Sequence, residues 1–461
     1  MPEFEYRDYF VWEESGRAMF DGHDLCDLAQ QFPTPFYLIS ERQLRANYQR
    51  LCKAFSGVDE VRKYYSVKSN FESLVLRALA EEGCGAEISG ALDMELVKRA
   101  GIRPERVVFD GPCKSYEDLE AAVEWGVHIV NLESLDEAQA LNTVAQIRGR
   151  VVDVGLRVDP LLGKPYYDKV ISTYKKKFGL PIDQAAGVIA QISALPNLRI
   201  RGLMSHIGSQ IFKPGRYLLL LDRLFSLMQE LAIQGVEIEE LNIGGGYPAQ
   251  SMRNLRLSRR FAVARLLERL GRIEVQASSI DDFGEAICER FDRLARSSGL
   301  RPRFAIEPGR CLVSNTQVVV GRVQLVKNDW VFTDVSMNDI PENLFFSEWR
   351  LVFPGQSPGC ASRPYNIAGP TLATQDVLHF QREFPGASPG VPFVVLDTGA
   401  YSIARANQFT RPRNAVYGIR ANGDLELVRR KETVDDVLAT QVWPRQQSED
   451  PQSAARSVAG K

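Results

Sequence analysis

A lysine ends an apolar stretch in the first fifth of the chain. The run Tyr64-Tyr65-Ser66-Val67-Lys68 is rich in aromatic and β-branched residues, which favours a β-strand. Most lysines keep their ammonium in water, so an exposed and chemically idle Lys68 is the ordinary interpretation. Desolvation at a strand end would instead favour the neutral amine, which can form a Schiff base with a carbonyl compound. Residues further along the chain favour this second interpretation.

Several later residues could bind a phosphate. The triplet Gly244-Gly245-Gly246 follows a strand-like stretch, and glycines there let backbone N–H groups approach an anion closely. A glycine triplet is also an ordinary tight turn, so its position after a strand is what favours an anion site. Ser209, Gly309 and Arg310 follow neighbouring strand-like stretches and could add donors to the same anion.

Two further residues could hold a flat aromatic ring. Glu307 ends a strand-like stretch, where its carboxylate could pair with a protonated ring nitrogen or form a structural ion pair with Arg157 or Arg310. His206 could lie against the ring, although a single histidine at a strand end is more often a core residue. The sequence leaves both alternatives open.

These residues need a common scaffold, and the chain contains eight strand candidates that are each followed by a helix-length segment. Eight strand–helix units over about 250 residues predict a closed (β/α)₈ barrel, in which functional groups gather at the carboxyl ends of the strands. The candidates are Val61–Val67, Ala86–Ile88, Val107–Phe109, His128–Leu132, Val154–Val158, Ile200–Ser205, Ile238–Ile243 and Phe304–Ile306.

The pattern changes after the eighth unit. Residues 313–335 and 391–430 are rich in valine and aromatic residues separated by turn signals, which predicts a second, all-β domain. We therefore expect residues 1–34 to join the β domain, 35–312 to form the barrel, 313–443 to form the β domain, and 444–461 to be a disordered tail.

Composition excludes several classes of function. The 56 basic and 58 acidic residues nearly balance, so nucleic acid is not an expected partner. Seven scattered cysteines without a CxxC pair, and only four histidines, favour neither a disulfide framework nor a metal site. No apolar run approaches membrane-spanning length, and the charged N-terminus lacks a signal-peptide pattern, so we expect a cytoplasmic protein.

Five motifs in this order resemble the fold type III pyridoxal-phosphate decarboxylases, the enzymes that act on diaminopimelate, ornithine, arginine and related D-amino acids. The resemblance covers residues 20–428. The motifs are Tyr65-Ser66-Val67-Lys68-Ser69-Asn70, His206-Ile207-Gly208-Ser209-Gln210, Asn242-Ile243-Gly244-Gly245-Gly246, Glu307-Pro308-Gly309-Arg310 and Asp397-Thr398-Gly399-Ala400-Tyr401.

The resemblance implies a role for each matched residue. Lys68 would form the Schiff base with pyridoxal 5′-phosphate, His206 would stack on the ring, and Glu307 would bind the pyridine nitrogen. Glu87 stands where the family often has aspartate, and Arg157 matches a family arginine near the cofactor. The resemblance also implies a homodimer with a shared active site. The residues expected around the phosphate are Ser209, Gly244, Gly245, Gly246, Gly309, Arg310 and Tyr401.

One motif departs from the family pattern. In the stretch from Gly369 to Asp376, Leu372 replaces the cysteine that protonates the carbanion, and Ala373 replaces an acidic residue that recognises a distal amine. Leucine can neither donate a proton nor bind an ammonium, so another acid is needed, such as Lys68, a tyrosine, Cys360 or water. Asp334 matches a substrate-side aspartate. The substrate pocket is therefore expected to differ while the cofactor site is retained.

The sequence thus predicts a pyridoxal-phosphate-dependent decarboxylase. Its substrate would be an amino acid or an amino-acid-derived biosynthetic intermediate, free or linked to a carrier. An amino-acid racemase on the same scaffold is one alternative, although no second base opposite Lys68 stands out. A non-catalytic homologue is another, and retention of Lys68, His206, Glu307 and Tyr401 argues against it.

Overall fold

The computed structural model describes residues 9–13, 16–162, 177–249, 277–341, 351–355 and 361–442. Two predicted features lie outside these ranges: Cys360, as a candidate proton donor, and the tail 444–461. The statements below concern the described ranges only.

Eight parallel strands form a closed barrel. Each strand pairs with the next along the chain, and the eighth pairs with the first, which closes the sheet. The predicted (β/α)₈ barrel is therefore confirmed. From the first to the eighth, the barrel strands are Arg62–Ser66, Gly85–Ile88, Val107–Phe109, Ile129–Leu132, Val152–Asp159, Leu198–Met204, Glu240–Asn242 and Arg303–Ile306.

Helices cover the outside of the barrel. The helix Glu41–Ala54 begins where the Ser40 side chain accepts a hydrogen bond from the Gln43 N–H at 3.1 Å. Its buried apolar residues recur at helical spacing, so one face packs on the core. The described α-helices are Leu25–Gln31, Glu41–Ala54, Ser73–Glu81, Ala91–Arg99, Tyr116–Trp125, Leu135–Ile147, Ile182–Ser193, Gly215–Ile233, Ile280–Ser298, Arg310–Val313 and Val434–Leu438.

A second sheet forms the predicted all-β domain. Its central strand is Gln317–Lys327, which pairs antiparallel with Phe36–Ser40 and with Pro392–Val395. The other strands of this sheet are Trp330–Thr333, Leu351–Val352, Ser362–Ala368, Val377–Pro385, Ala415–Ile419 and Leu425–Arg429. Three short strands precede it, Phe10–Trp12, Ala18–Phe20 and His23–Asp24.

The N-terminal limit of the barrel differs from the predicted residue 35. Strand Phe36–Ser40 lies inside the second sheet, between Gln317–Lys327 and Ala415–Ile419. All five of its residues are buried. A fully buried apolar strand has the same sequence pattern in either sheet, and for this reason the pattern did not assign it. The barrel portion begins with the helix Glu41–Ala54.

Alternation along the strands determines which residues face the inside of the barrel. Four residues from different strands form a small buried cluster there: Tyr64, Val108, Ile129 and Ala305. Because side chains alternate with a period of two, the residues two positions further along face the same interior, at the carboxyl end. They are Ser66, Asp110, Asn131 and Glu307. The polar mouth of the barrel therefore lies directly above an apolar floor.

The described ranges contain neither a candidate membrane span nor a candidate metal-binding cluster. None of the helices described there is long and apolar enough to cross a bilayer. In the same part of the chain, no three or more His, Cys, Asp or Glu side chains are grouped so as to hold a metal ion. Six of the cysteines lie in these ranges, and all six are free thiols.

Candidate active site

Lys68 lies in a short 3₁₀ turn, Val67–Ser69, immediately after the first barrel strand. Its ammonium forms an ion pair with Glu87, whose side chain is fully buried in the second strand. Glu87 also accepts hydrogen bonds from the hydroxyls of Ser66 and Ser89, the latter at 3.0 Å. The Lys68 side chain is 47% exposed, so its amine can be reached from the barrel mouth.

The charge of Lys68 differs from the expectation of a desolvated, neutral amine. Burial lowers the pKa of Lys68, but the carboxylate of Glu87 outweighs burial and raises the pKa above its usual value. Burial acts in the opposite direction on Glu87 and raises the pKa of this carboxyl. The Lys68 ammonium and the hydroxyl donors outweigh burial, so the pKa of Glu87 is lowered overall. The resting pair is therefore ionic, and Glu87 is the nearest base for the lysine proton.

Glu307 ends the eighth strand as a buried carboxylate. One oxygen accepts a hydrogen bond from Asn242 Nδ2 at 2.7 Å. Burial raises the pKa of Glu307 well above its usual range, and the carboxylates of Asp110 and Glu87 raise it further. A cation placed against Glu307 would relieve this repulsion and return the carboxyl to its ionised form.

Asp110 is a site residue that the sequence analysis missed. It follows the third strand, and its Oδ1 accepts a hydrogen bond from Asn131 Nδ2 at 2.7 Å. A Cβ at Gly155 would overlap Asn131 Oδ1, so this glycine makes room for the amide. Burial raises the pKa of Asp110, and the neighbouring Glu87 adds to the rise. Its position at the end of a strand, which also selected Glu307, could have identified it.

Arg157 lies on the fifth strand and is paired with a residue that the sequence did not suggest. Its Nη1 donates to Glu133 Oε1 at 2.7 Å. Arg157 therefore forms an ion pair with Glu133, and not the pair with Glu307 that the sequence left open. The guanidinium carbon also lies 4.8 Å from the centre of the Phe178 ring. The guanidinium is thereby held at the mouth of the barrel.

The glycine triplet packs closely against neighbouring backbone. A Cβ at Gly245 would overlap the carbonyl oxygen of Glu307, and one at Gly246 would overlap that of Gly208. The Gly244 N–H donates to Asn242 Oδ1 at 2.9 Å. The N–H groups of Gly244 and Gly245 are both engaged by side chains, so close packing is the role that the geometry supports most directly.

His206 follows the sixth strand and contacts the glycine triplet. Its Nδ1 accepts a hydrogen bond from the Gly245 N–H at 3.2 Å, so a neutral imidazole carries its proton on Nε2. A Cβ at Gly244 would lie 2.9 Å from the same nitrogen, which again requires glycine. Ser209 lies exposed on the following loop, and its contact with a phosphate stays a prediction.

The second sheet meets the barrel beside Lys68. The Tyr401 N–H donates to the Ser69 carbonyl at 2.8 Å, and the buried Arg310 guanidinium lies 4.9 Å from the Tyr401 ring centre. A Cβ at Gly309 would overlap Ser69 Oγ. Asn70 Nδ2 donates to the Gly399 carbonyl at 2.9 Å. The motif around Tyr401 is therefore brought to the turn that carries Lys68.

The three predicted substrate-side residues lie elsewhere on the second sheet. Asp334 Oδ1 accepts the Arg322 N–H at 2.8 Å, and the side chain lines a cavity of about 310 Å³. Leu372 is 96% exposed and Ala373 is half-buried. Within the described ranges, no hydrogen bond or ion pair joins Asp334, Leu372 or Ala373 to Lys68. Their contact with substrate stays a prediction.

The barrel mouth fits pyridoxal phosphate in three respects. The Lys68 amine is reachable, as the carbonyl carbon of the cofactor requires. Burial and neighbouring carboxylates raise the pKa of Glu307 and of Asp110, and a cation such as a protonated pyridine nitrogen would offset this rise. The buried Arg310 guanidinium lies against the Tyr401 ring, close to the turn that carries Lys68, where it can bind a phosphate.

Comparison with known proteins gives a consistent result. The sequence profile described as "Pyridoxal-dependent decarboxylase, pyridoxal binding domain" matches residues 41–314. The diaminopimelate decarboxylase of Pseudomonas aeruginosa is 31% identical over 444 residues, which cover 95% of this chain and 98% of that protein. That of Aquifex aeolicus is 28% identical, covering 95% and 97%.

A solved structure agrees over nearly the whole length. The crystal structure of diaminopimelate decarboxylase from Methanocaldococcus jannaschii has a TM-score of 0.84 at 26% identity, and the match covers 95% of this chain and 98% of that one. The predicted fold, activity class and cofactor are thereby confirmed. The chain belongs to the fold type III decarboxylases of amino acids, which depend on pyridoxal phosphate.

Proposed function

We propose that Lys68 is the covalent attachment point of the cofactor and that the barrel mouth removes the α-carboxylate of an amino acid. The observation that carries the proposal is the Lys68–Glu87 ion pair, set at the open end of the barrel beside the buried carboxylate of Glu307. When bound, pyridoxal phosphate accepts the electron pair that remains on Cα after carbon dioxide leaves.

The residues of the chain would divide the remaining work. Glu87 takes the proton that the Lys68 ammonium must lose before the amine can react. Glu307 would pair with the protonated ring nitrogen, because burial and the carboxylates of Asp110 and Glu87 raise its pKa and a cation there would offset both effects. His206, oriented by the Gly245 N–H, would stack on the ring. Arg310 and Tyr401, which lie where the two domains meet, would hold the phosphate.

The substrate is proposed to be an amino acid, or an intermediate derived from one, whose distal end is blocked or apolar. The relatives are named diaminopimelate decarboxylases, so diaminopimelate is the reference substrate. Leu372 and Ala373 stand where the family uses a cysteine and an acidic residue. Neither side chain can bind an ammonium or donate a proton, which favours a substrate that carries an acyl group or a carrier there.

A second copy of the chain is proposed to complete the site. Leu372 is 96% exposed at the tip of a loop that Asp376 holds rigidly. Asp376 accepts hydrogen bonds from the Thr371 N–H at 3.0 Å, the Thr371 hydroxyl at 2.6 Å and the Met337 N–H at 2.7 Å. A rigid loop that presents a bare leucine fits an interface in a homodimer.

Free thiols throughout the described ranges suit the cytoplasm.

A carbon dioxide release assay tests the proposal. The purified protein with pyridoxal phosphate is assayed with D- and L-amino acids, meso-diaminopimelate and N-acylated diamino acids. The variants are Lys68→Ala and Lys63→Ala, since Lys63 lies on the same strand but outside the barrel interior. We expect release that requires Lys68 and tolerates loss of Lys63. Racemisation without release, or release by Lys68→Ala, would contradict the proposal.

A further inference from the structure

Lys114 is a fully buried lysine to which neither the motifs nor the proposed chemistry gives a role. Its side chain has no exposed surface. The ammonium donates to the Gly111 carbonyl at 2.9 Å, the Asn131 carbonyl at 2.7 Å and Glu137 Oε1 at 2.7 Å. All three of its N–H donors therefore have an acceptor, and the amine also lies 5.5 Å from the Phe109 ring centre.

One branch of this network ends at Arg157. Glu137 binds Lys114 through Oε1 and accepts the Glu133 N–H through Oε2 at 2.8 Å. Glu133 in turn accepts Arg157 Nη1 at 2.7 Å and the Gly179 N–H at 2.7 Å. The branch has a cation at each end and two carboxylates between them, joined through the backbone N–H of Glu133. Each carboxylate oxygen has a donor, so the Arg157 guanidinium is fixed from behind.

The other branch ends at Asp110. Lys114 binds the carbonyl of Asn131, whose side-chain amide donates to Asp110 Oδ1 at 2.7 Å. Lys114 also binds the carbonyl of Gly111, the residue next to Asp110, and so closes the loop after the third strand. The Lys114 ammonium thus links the carboxyl ends of the third and fourth strands. The side chains of Asp110 and Asn131 project from these strand ends into the barrel mouth.

We propose that Lys114 is a positioning residue for the cofactor site, acting through Arg157 and Asp110. This inference rests on the proposed function, because Arg157 and Asp110 lie at the barrel mouth, where that function places the cofactor. Stability alone does not require the charge. A buried ion pair as a whole can often be replaced by apolar residues of similar volume at no loss of stability, whereas removing Lys114 alone leaves Glu137 without its charged partner.

Cofactor binding tests the proposal directly. Lys114→Met removes the ammonium. Glu137→Gln leaves one amide oxygen as an acceptor in place of the two carboxylate oxygens that accept from Lys114 and from the Glu133 N–H. Lys98→Met is the matched control, since Lys98 is exposed on the helix Ala91–Arg99, with its ammonium over Trp125. The measurements are the dissociation constant of pyridoxal phosphate, the visible absorption maximum of the holoenzyme, and KM and kcat separately.

We expect Lys114→Met to weaken cofactor binding by about tenfold or more and to shift the absorption maximum, as loss of an outer partner does at other ligand sites. Glu137→Gln should do the same to a smaller extent, and Lys98→Met should do neither. If Lys114→Met does not fold, Glu137→Gln decides. Unchanged cofactor affinity and absorption in the folded variants would overturn the proposal and leave Lys114 a structural residue.

The proposed function can fail separately. If Lys68→Ala retains the visible band of the bound cofactor, the proposed attachment point is wrong, whatever the Lys114 variants do. If Lys68→Ala loses the band while Lys114→Met behaves as the wild type, only the positioning role is wrong.

Discussion

The proton on Lys68 is held by one carboxylate. Glu87 is buried, pairs with the Lys68 ammonium and accepts hydrogen bonds from two hydroxyls. The neutral amine that can react with a carbonyl therefore forms only when Lys68 transfers its proton to Glu87. Lys68 is half-exposed, which limits the contribution of the pair to stability. The pair therefore controls reactivity more than it stabilises the fold.

Replacing Glu87 by glutamine should lower the pKa of Lys68, because the carboxylate is what raises it against burial. The pH at which pyridoxal phosphate attaches at half its maximal rate should then fall by about one unit or more. Stopped-flow absorption over a pH series measures this midpoint. A midpoint that stays or rises would show that Glu87 does not hold the lysine proton.

Glu307 should make the cofactor-free protein less stable as the pH rises. Its pKa in the folded protein lies well above the ordinary 4.5, so above pH 4.5 the folded state binds the proton more tightly than the unfolded state. Stability from this group is present at low pH and is lost as the pH rises toward the folded pKa. Glu307→Gln should remove that slope.

Denaturant unfolding of both cofactor-free proteins from pH 4 to pH 8 checks this sign. The advantage of Glu307→Gln over the wild type should grow with pH. If the unfolding free energies of the two proteins depend on pH in the same way, folding does not raise the pKa of Glu307. The same variant should bind the cofactor less well, since an amide cannot balance a protonated ring nitrogen.

At this scale the sequence identified residue types better than their charges. Strand-end position was enough to select Lys68 and Glu307. It could not reveal that Glu87 would face Lys68, because the pairing depends on the register of two strands. It also passed over Asp110 and Glu133, whose partners come from other strands.

Among the elements, the loop after the seventh strand has the tightest packing at the mouth. A Cβ at Gly245 would overlap the carbonyl of Glu307, so Gly245→Ala must move the strand that carries the carboxylate. We expect a loss of about 2 kcal/mol or more in unfolding free energy and weaker cofactor binding.

Gly187→Ala is the control for that change. Gly187 lies in the helix Ile182–Ser193, and a Cβ there meets no atom within 4 Å. Alanine should stabilise this helix by about 0.5–1 kcal/mol. Thermal unfolding and cofactor titration of the two variants show whether the effect of Gly245→Ala comes from its close packing or would follow from replacing any glycine. Equal effects would contradict the account of the loop.

Element boundaries followed from the sequence where the hydrophobic period was clear. The helix Glu41–Ala54 is an example, because Ser40 is a good N-cap and the apolar spacing of the helix is regular. The strand Phe36–Ser40 was assigned to the wrong sheet, because its partners, Gln317–Lys327 and Ala415–Ile419, lie nearly 300 residues or more away. Local pattern does not specify partners at that distance.

At the scale of the whole molecule, two domains meet at the turn that carries Lys68. Strand–helix alternation was enough to predict the barrel, and valine-rich segments were enough to predict the second sheet. The substrate and the assembly did not follow in the same way, because both depend on surfaces that a single chain leaves exposed, such as that of Leu372.

Leu372→Lys should weaken self-association. A charge on a fully exposed leucine costs nothing in the monomer but must be desolvated in an interface, so we expect at least tenfold weaker dimerisation. Sedimentation over a concentration series measures it. Leu427→Lys is the control, since Leu427 is 57% exposed on the strand Leu425–Arg429. A monomeric wild type, or an unaffected Leu372→Lys dimer, would contradict the proposed interface.

Locating the reduced cofactor shows directly whether Lys68 is its attachment point. The holoenzyme is treated with borohydride, digested, and analysed for peptides that carry a phosphopyridoxyl group. We expect modification at Lys68, together with loss of the visible band and of carbon dioxide release. Modification at another lysine, or none, would contradict the assignment of Lys68 as the attachment point.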